Sequence, residues 1–294
     1  MRVSLLFLAA VGCGTNAMTT PPDMTPVTVT CKATVTPPAP TLIDSKTMAK
    51  TPANMACLGT RVDPAAPTMD TVVMGNVKDF QDSNVVVGAV VSIYSDATQV
   101  PDHPIAMSSP TAKDGTFMIT VPKGFYRVIF GNSGGKAVSS GNAMTDTIPT
   151  YEFAQIYNST DRVSVKTTTR DAIPGLVSVT PDVTLGVVAG SVRDCDNKQY
   201  QGGLVTVTAG TWEANDQCLM FYFKDIGGST LPVRTQKYTD GNGVWAALNV
   251  PPGMATIQAN GLINGMVGPV GSATIPIISG AITTVDIAPA GPAH

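Results

Sequence analysis

Glutamate is almost missing from this 294-residue chain, occurring only at Glu152 and Glu213, and histidine stands only at His103 and His294. A zinc hydrolase site needs two histidines and a carboxylate from nearby elements plus a glutamate as acid and base, and that set is not here. The cysteines form no CxxC pair, so a thiolate zinc cluster is excluded as well. Lysine and arginine total 18 with no two adjacent, against 21 acidic residues, which leaves no basic patch for nucleic acid. Charged residues make up only 13% of the chain, and Glu and Lys are too scarce to drive long helices. Beyond the first dozen residues no apolar run approaches the length of a transmembrane helix.

What is present is Val and Thr in quantity, 28 Gly and 23 Pro, a mixture that suits short strands joined by turns. An all-β fold is the expectation. At the N-terminus Arg2 precedes an apolar run over residues 3–11, too short to span a bilayer and ending in small residues, as in a secretory signal. Ala10-Val11-Gly12-Cys13 resembles the lipobox of bacterial lipoproteins. The resemblance implies a signal peptide over residues 1–12 and acylation of Cys13, which becomes the first mature residue. It also implies a lipid-anchored location in the cell envelope, at the outer membrane, with the body outside the cytoplasm. Residues 13–30, rich in Thr and Pro, then form a flexible tether that holds the body clear of the membrane.

Removing Cys13 from the five cysteines leaves Cys31, Cys57, Cys195 and Cys218, an even set suited to two disulfides in an oxidising compartment. Each contributes about 3 kcal/mol, chiefly by restricting the unfolded chain. The four fall into sequence-local couples, Cys31 with Cys57 and Cys195 with Cys218. The second couple spans a strand about 23 Å long, so pairing of Cys195 and Cys218 with Cys31 and Cys57 stands as the alternative. Residues 31–70 are read as a Pro-rich, disulfide-stapled lead-in.

The rest of the chain contains a repeat. Gly75, Val77 and Asp79 match Gly190, Val192 and Asp194; Gly88, Val91 and Ile93 match Gly202, Val205 and Val207. Gly115 and Phe117 match Gly243 and Trp245, and Val121-Pro122-Lys123-Gly124 matches Val250-Pro251-Pro252-Gly253. Period-two alternation buries one face of each strand. Asp79 and Asp194 end the first strand of each copy, where an Asx side chain caps turn amides. Asp114-Gly115 and Asp240-Gly241-Asn242-Gly243 are hairpin turns, after which Phe117 and Trp245 point inward.

This order of motifs, found twice, resembles the carboxypeptidase-regulatory-like domain family, whose sandwich is similar to transthyretin. The resemblance implies two tandem Ig-like or transthyretin-like β-sandwiches, over residues 71–180 with a linker and residues 181–290. The second copy has Gly203 where the family has Ala, and it carries the insertion TWEANDQCLMFYFKDIGGSTLP. Residues 136–185 are expected to supply the last strands of the first sandwich, with a helical turn near residues 168–172 that Pro174 stops.

Several groups are weighed for chemistry. Asp194, Asp196, Asp240 and Asn242 lie in loops at one end of the sandwich and offer oxygen ligands of the kind calcium takes. Trp212, Phe221, Tyr222 and Phe223 of the insertion form either core or an aromatic platform for sugar or a partner protein. Lys78 is the first-copy lysine for an isopeptide crosslink, but Arg193 replaces it in the second copy. The run Gly131-Asn132-Ser133-Gly134-Gly135 imitates a serine-nucleophile motif, yet only His103 is available as a base, and the run reads as a glycine loop. The expected function is therefore a structural or recognition module, not an enzyme, with no cofactor. Its partners are the membrane, through the N-terminal lipid, and an envelope protein or glycan. The alternative is a carbohydrate-binding accessory lipoprotein that uses Trp212.

Overall fold

The computed structural model describes residues 35–139, 143–155, 161–214, 219–226 and 229–290. Cys13, Cys31, Cys218 and His294 lie outside them, as do the signal and tether segments. Among the described residues the fold is all-β apart from one α-helix and a single 3-10 turn. Its strands run β1 (Thr41–Ile43), β2 (Lys50–Pro52), β3 (Thr71–Asp79), β4 (Val86–Val87), β5 (Val91–Tyr94), β6 (Ala106–Met107) and β7 (Thr116–Val121). Next come β8 (Arg127–Asn132), β9 (Lys136–Val138), β10 (Met144–Ile148), β11 (Thr150–Gln155) and β12 (Arg162–Lys166), then helix α1 (Thr167–Leu176). The second half holds β13 (Gly186–Ser191), β14 (Leu204–Ala209), β15 (Trp212–Ala214), β16 (Met220–Ile226) and β17 (Ser229–Val233). It ends with β18 (Val244–Val250), β19 (Gly253–Ile263), β20 (Met266–Ile277) and β21 (Ile282–Val285).

The two repeat copies fold alike at their matched positions. In the first, β3 pairs antiparallel with β7 so that Gly75 faces Phe117; in the second, β13 pairs antiparallel with β18 so that Gly190 faces Trp245. β5 pairs with β8 as β14 pairs with β19. Gly88, Gly115 and Gly124 share positive φ with Gly202, Gly243 and Gly253, the backbone state for which the motif keeps glycine. Phe117 and Trp245 are both buried, each in its own core cluster. One core gathers Val77, Val91, Ile93, Phe117 and Phe130; the other gathers Val192, Tyr200, Val205, Tyr222, Trp245 and Ile257. Each large side chain so enclosed contributes roughly 1.5–3 kcal/mol over leaving it in water.

The sheets join the copies. A six-stranded sheet, β4-β9-β10-β12-β3-β7, backs the first core, and a four-stranded sheet, β15-β14-β19-β20, backs the second. Between them runs one nine-stranded sheet, β17-β16-β18-β13-β21-β11-β8-β5-β6, with one side drawn from each copy. Its junction is β21, parallel to both neighbours: Ile282 sits opposite Thr150 on β11 and Val187 on β13. The approach at β13 is close enough that a Cβ on Gly190 would lie 1.8 Å from the carbonyl oxygen of Val285. The repeat glycine at this position thus has a packing reason.

Helix α1 is longer than the expected turn. It runs past Pro174, which cannot donate to the carbonyl of Arg170 and is buried, and only Gly175 and Leu176 follow before the helix ends. The lead-in also behaves differently from a staple closed on itself. Thr41 and Gln201 exchange backbone hydrogen bonds, the amide of Cys195 donates to the carbonyl of Asn54, and Leu42, Ala53 and Met55 pack on the second core. Only after Arg61 does the chain return to the first copy, where Asp63 accepts from Tyr126 and Arg127.

Candidate functional site

The two capping aspartates are the most elaborate polar sites. Asp79, 2% exposed, accepts from the amides of Gln81 (3.1 Å) and Asp82 (3.3 Å) in its own turn and from the amide of Lys166 (3.0 Å) at the end of β12. Asp194, 0% exposed, accepts from Asp196 (3.0 Å) and Lys198 (2.9 Å) in its turn and from Asn54 (3.1 Å) in the lead-in. Each carboxylate therefore stitches a loop to a distant segment. Burial, then the neighbouring Asp82 carboxyl, push the Asp79 carboxyl above its ordinary value against the pull of its amide donors. Burial opposes charge on Lys166, but its contacts with Asp82 and Asp79 prevail and raise its pKa, so its ammonium stays protonated. Its Nζ touches the carboxylate of Asp82 and lies 3.5 Å from that of Asp79. A protonated amine is not a nucleophile, and the cluster is an ion-pair lock.

A second polar row crosses the junction strands. Glu152 on β11 pairs with Arg162 at 3.2 Å, and the Arg162 guanidinium lies 3.6 Å over the ring of Phe130. Burial pushes the Glu152 carboxyl up, outweighing Arg162, and its Oε2 is enclosed with no hydrogen-bond partner among the described residues. Across β21, Asp286 accepts from the hydroxyl of Ser191 and from Arg193 at 2.7 Å. This row borders a cavity of about 1440 Å³ walled by Val165, Val187, Ala189, Leu248 and Ile282. Tyr151, whose neighbour on β11 is Glu152, is pushed up to about 12 by burial.

Several expected sites are resolved by these placements. Cys57 is bonded to Cys195, a sequence separation of 138, so the local pairing of Cys195 with Cys218 is corrected. The reason is the docking of the lead-in: the Asn54 bonds to Asp194 and Cys195 place Cys57 over the first turn of the second copy, with the two Cα atoms 5.8 Å apart. The aromatic insertion is core. Phe221, Tyr222 and Phe223 are 7%, 0% and 4% exposed on β16, the Tyr222 hydroxyl accepts from the amide of Val205, and Trp212 packs half-buried on the second core.

The proposed oxygen ligands are engaged elsewhere. Asp194 caps its turn, Asp240 accepts from Gln201, and Asn242 binds Asp225 and the amide of Val244. Among the described residues there is no group of three or more His, Cys, Asp or Glu side chains that could hold a metal ion. Lys78 forms a half-exposed ion pair with Asp161 at 2.7 Å. Ser133 accepts from the amide of Val90, while Asn132 bonds the carbonyl of Val163 and the amide of Gly134, so the glycine run is a structural turn. His103 is exposed in its loop. Sequence reasoning missed the Glu152 and Arg162 pair, whose signal was the rarity of glutamate itself. Among the described residues no helix is long and apolar enough to cross a membrane.

No family model and no curated protein matches the chain. Among solved structures the chain is similar to the Bacillus anthracis TIE protein at 9% identity and a TM-score of 0.24, over 78% of this chain and 41% of that one. It is likewise similar to the shaft pilin SpaA of Lactobacillus rhamnosus GG, at 11% identity and a TM-score of 0.22, over 76% of this chain and 100% of that one. A third similarity is to a streptococcal ancillary pilin, at 18% identity and a TM-score of 0.21, over 76% of this chain and 64% of that one.

Proposed function

We propose that this protein is a non-enzymatic lipoprotein of the cell envelope, anchored through Cys13, whose two carboxypeptidase-regulatory-like sandwiches serve as a structural or recognition module. The observation that carries this reading is the use of its polar side chains: Asp79, Asp194, Asn132 and the Lys166 cluster are spent on tying loops to distant segments. The N-terminal order of short apolar run, Cys13 and Thr/Pro tether supports the anchor.

Several acyl chains on one cysteine hold a protein firmly at a membrane, whereas one binds marginally. Fractionation of cells that express the wild type and Cys13→Ser tests the anchor. The wild type is expected in the membrane pellet with an acylated N-terminal peptide, and the variant in the soluble fraction. A variant that stays in the pellet, with no lipid on the wild-type peptide by mass spectrometry, contradicts the reading.

A further inference from the structure

We infer that the Cys57–Cys195 bond takes the first repeat copy out of the path of tension between the two ends of the chain. This inference deepens the proposed anchoring role and rests on it for its biological meaning. Three observations carry it. The bond closes a loop of sequence separation 138 that contains the whole first copy, α1 and β13. The lead-in before Cys57 is fastened to the second copy through Thr41, Asn54 and Met55 rather than to the first. Beyond Cys195 the chain continues through β14 to β21 of the second copy.

A pull that enters from the N-terminal tether reaches Cys57, crosses the sulfur bridge to Cys195, and leaves through the second copy. The first copy hangs from that path as a covalently closed side loop. Its outer face, with Val72, Met74 and Met118 exposed on β3 and β7, is presented without carrying the load. Without the bond, the lead-in is held to the second copy by a few hydrogen bonds and three apolar side chains, and the same pull runs through β3.

Single-molecule extension of the full chain with handles at its two ends tests this, in a Cys31→Ser, Cys218→Ser background so that the bond under test is the sole crosslink. Under oxidising conditions the residues between Cys57 and Cys195 are expected to add no length, even after the second copy unfolds. Reductant, or the further change Cys57→Ser, is expected to add roughly 460–500 Å of contour length. Release of the full length by the oxidised chain overturns the inference, and so does an equal length with and without reductant. Neither result depends on the lipid, so failure of the anchor and failure of the side loop are read separately.

Discussion

Asp79 and Asp194 hold matching places in the two copies, and each takes two amides from its own turn and a third from a segment far along the chain. The turn role was legible from the spacing of the G-x-V-x-D motif. The third donor was not, because Lys166 and Asn54 lie 87 and 140 residues away and nothing local marks them. Removing either carboxylate leaves buried N–H groups without acceptors, each at a cost of about 1–3 kcal/mol. Asp194→Ala is therefore expected to lower stability by about 3 kcal/mol or more, read as a shifted urea midpoint. Glu152 is the opposite case, a carboxylate that burial raises. Its folded form binds its proton more tightly than the unfolded chain does, so its contribution is fully present below the unfolded value near 4.5 and is lost as pH rises through the folded value. Unfolding free energy measured against pH is expected to fall more steeply for the wild type than for Glu152→Gln from about pH 4.5 upward. Parallel curves contradict this assignment.

At the scale of elements, period-two alternation and turn glycines made β3, β7, β13 and β14 readable, since burial on one face leaves its mark on every second residue, whereas β5 and β18 in the nine-stranded sheet are buried on both faces, against the one-face expectation. The strand β21, Ile-Thr-Thr-Val, carries no such guide to its partners. Its place between β11 and β13 is set by backbone pairing with strands some 130 and 95 residues earlier, and only the glycine at 190 hints at a close neighbour. The aromatic insertion was legible as a strand by alternation but ambiguous in burial, and pairing with β18 decides for core. Asn264 and Gly265, both at positive φ, close the long β19–β20 hairpin with the dipeptide that favours such turns. Gly190→Ala tests the β13–β21 contact. Its Cβ would meet Val285 backbone and force the strands apart, so a loss of about 1–3 kcal/mol is expected, with faster hydrogen exchange in β21. Unchanged exchange there contradicts the close approach.

For the whole molecule, a duplicated sandwich pattern led to the expectation of two bodies in tandem, while the pairing joins them through a nine-stranded sheet. Two cores remain distinct on either side of β21. The bond from Cys57 to Cys195 and the docked lead-in add a covalent closure across the same junction. Such an arrangement predicts that neither copy unfolds alone. Both tryptophans, Trp212 and Trp245, pack on the second core, so their fluorescence reports that copy, whereas far-ultraviolet circular dichroism reports the strands of both. The most direct test is urea unfolding of the oxidised protein followed by the two signals together. One shared transition with a single midpoint is the predicted result, and a separate transition in circular dichroism that tryptophan fluorescence does not see would contradict a fused body.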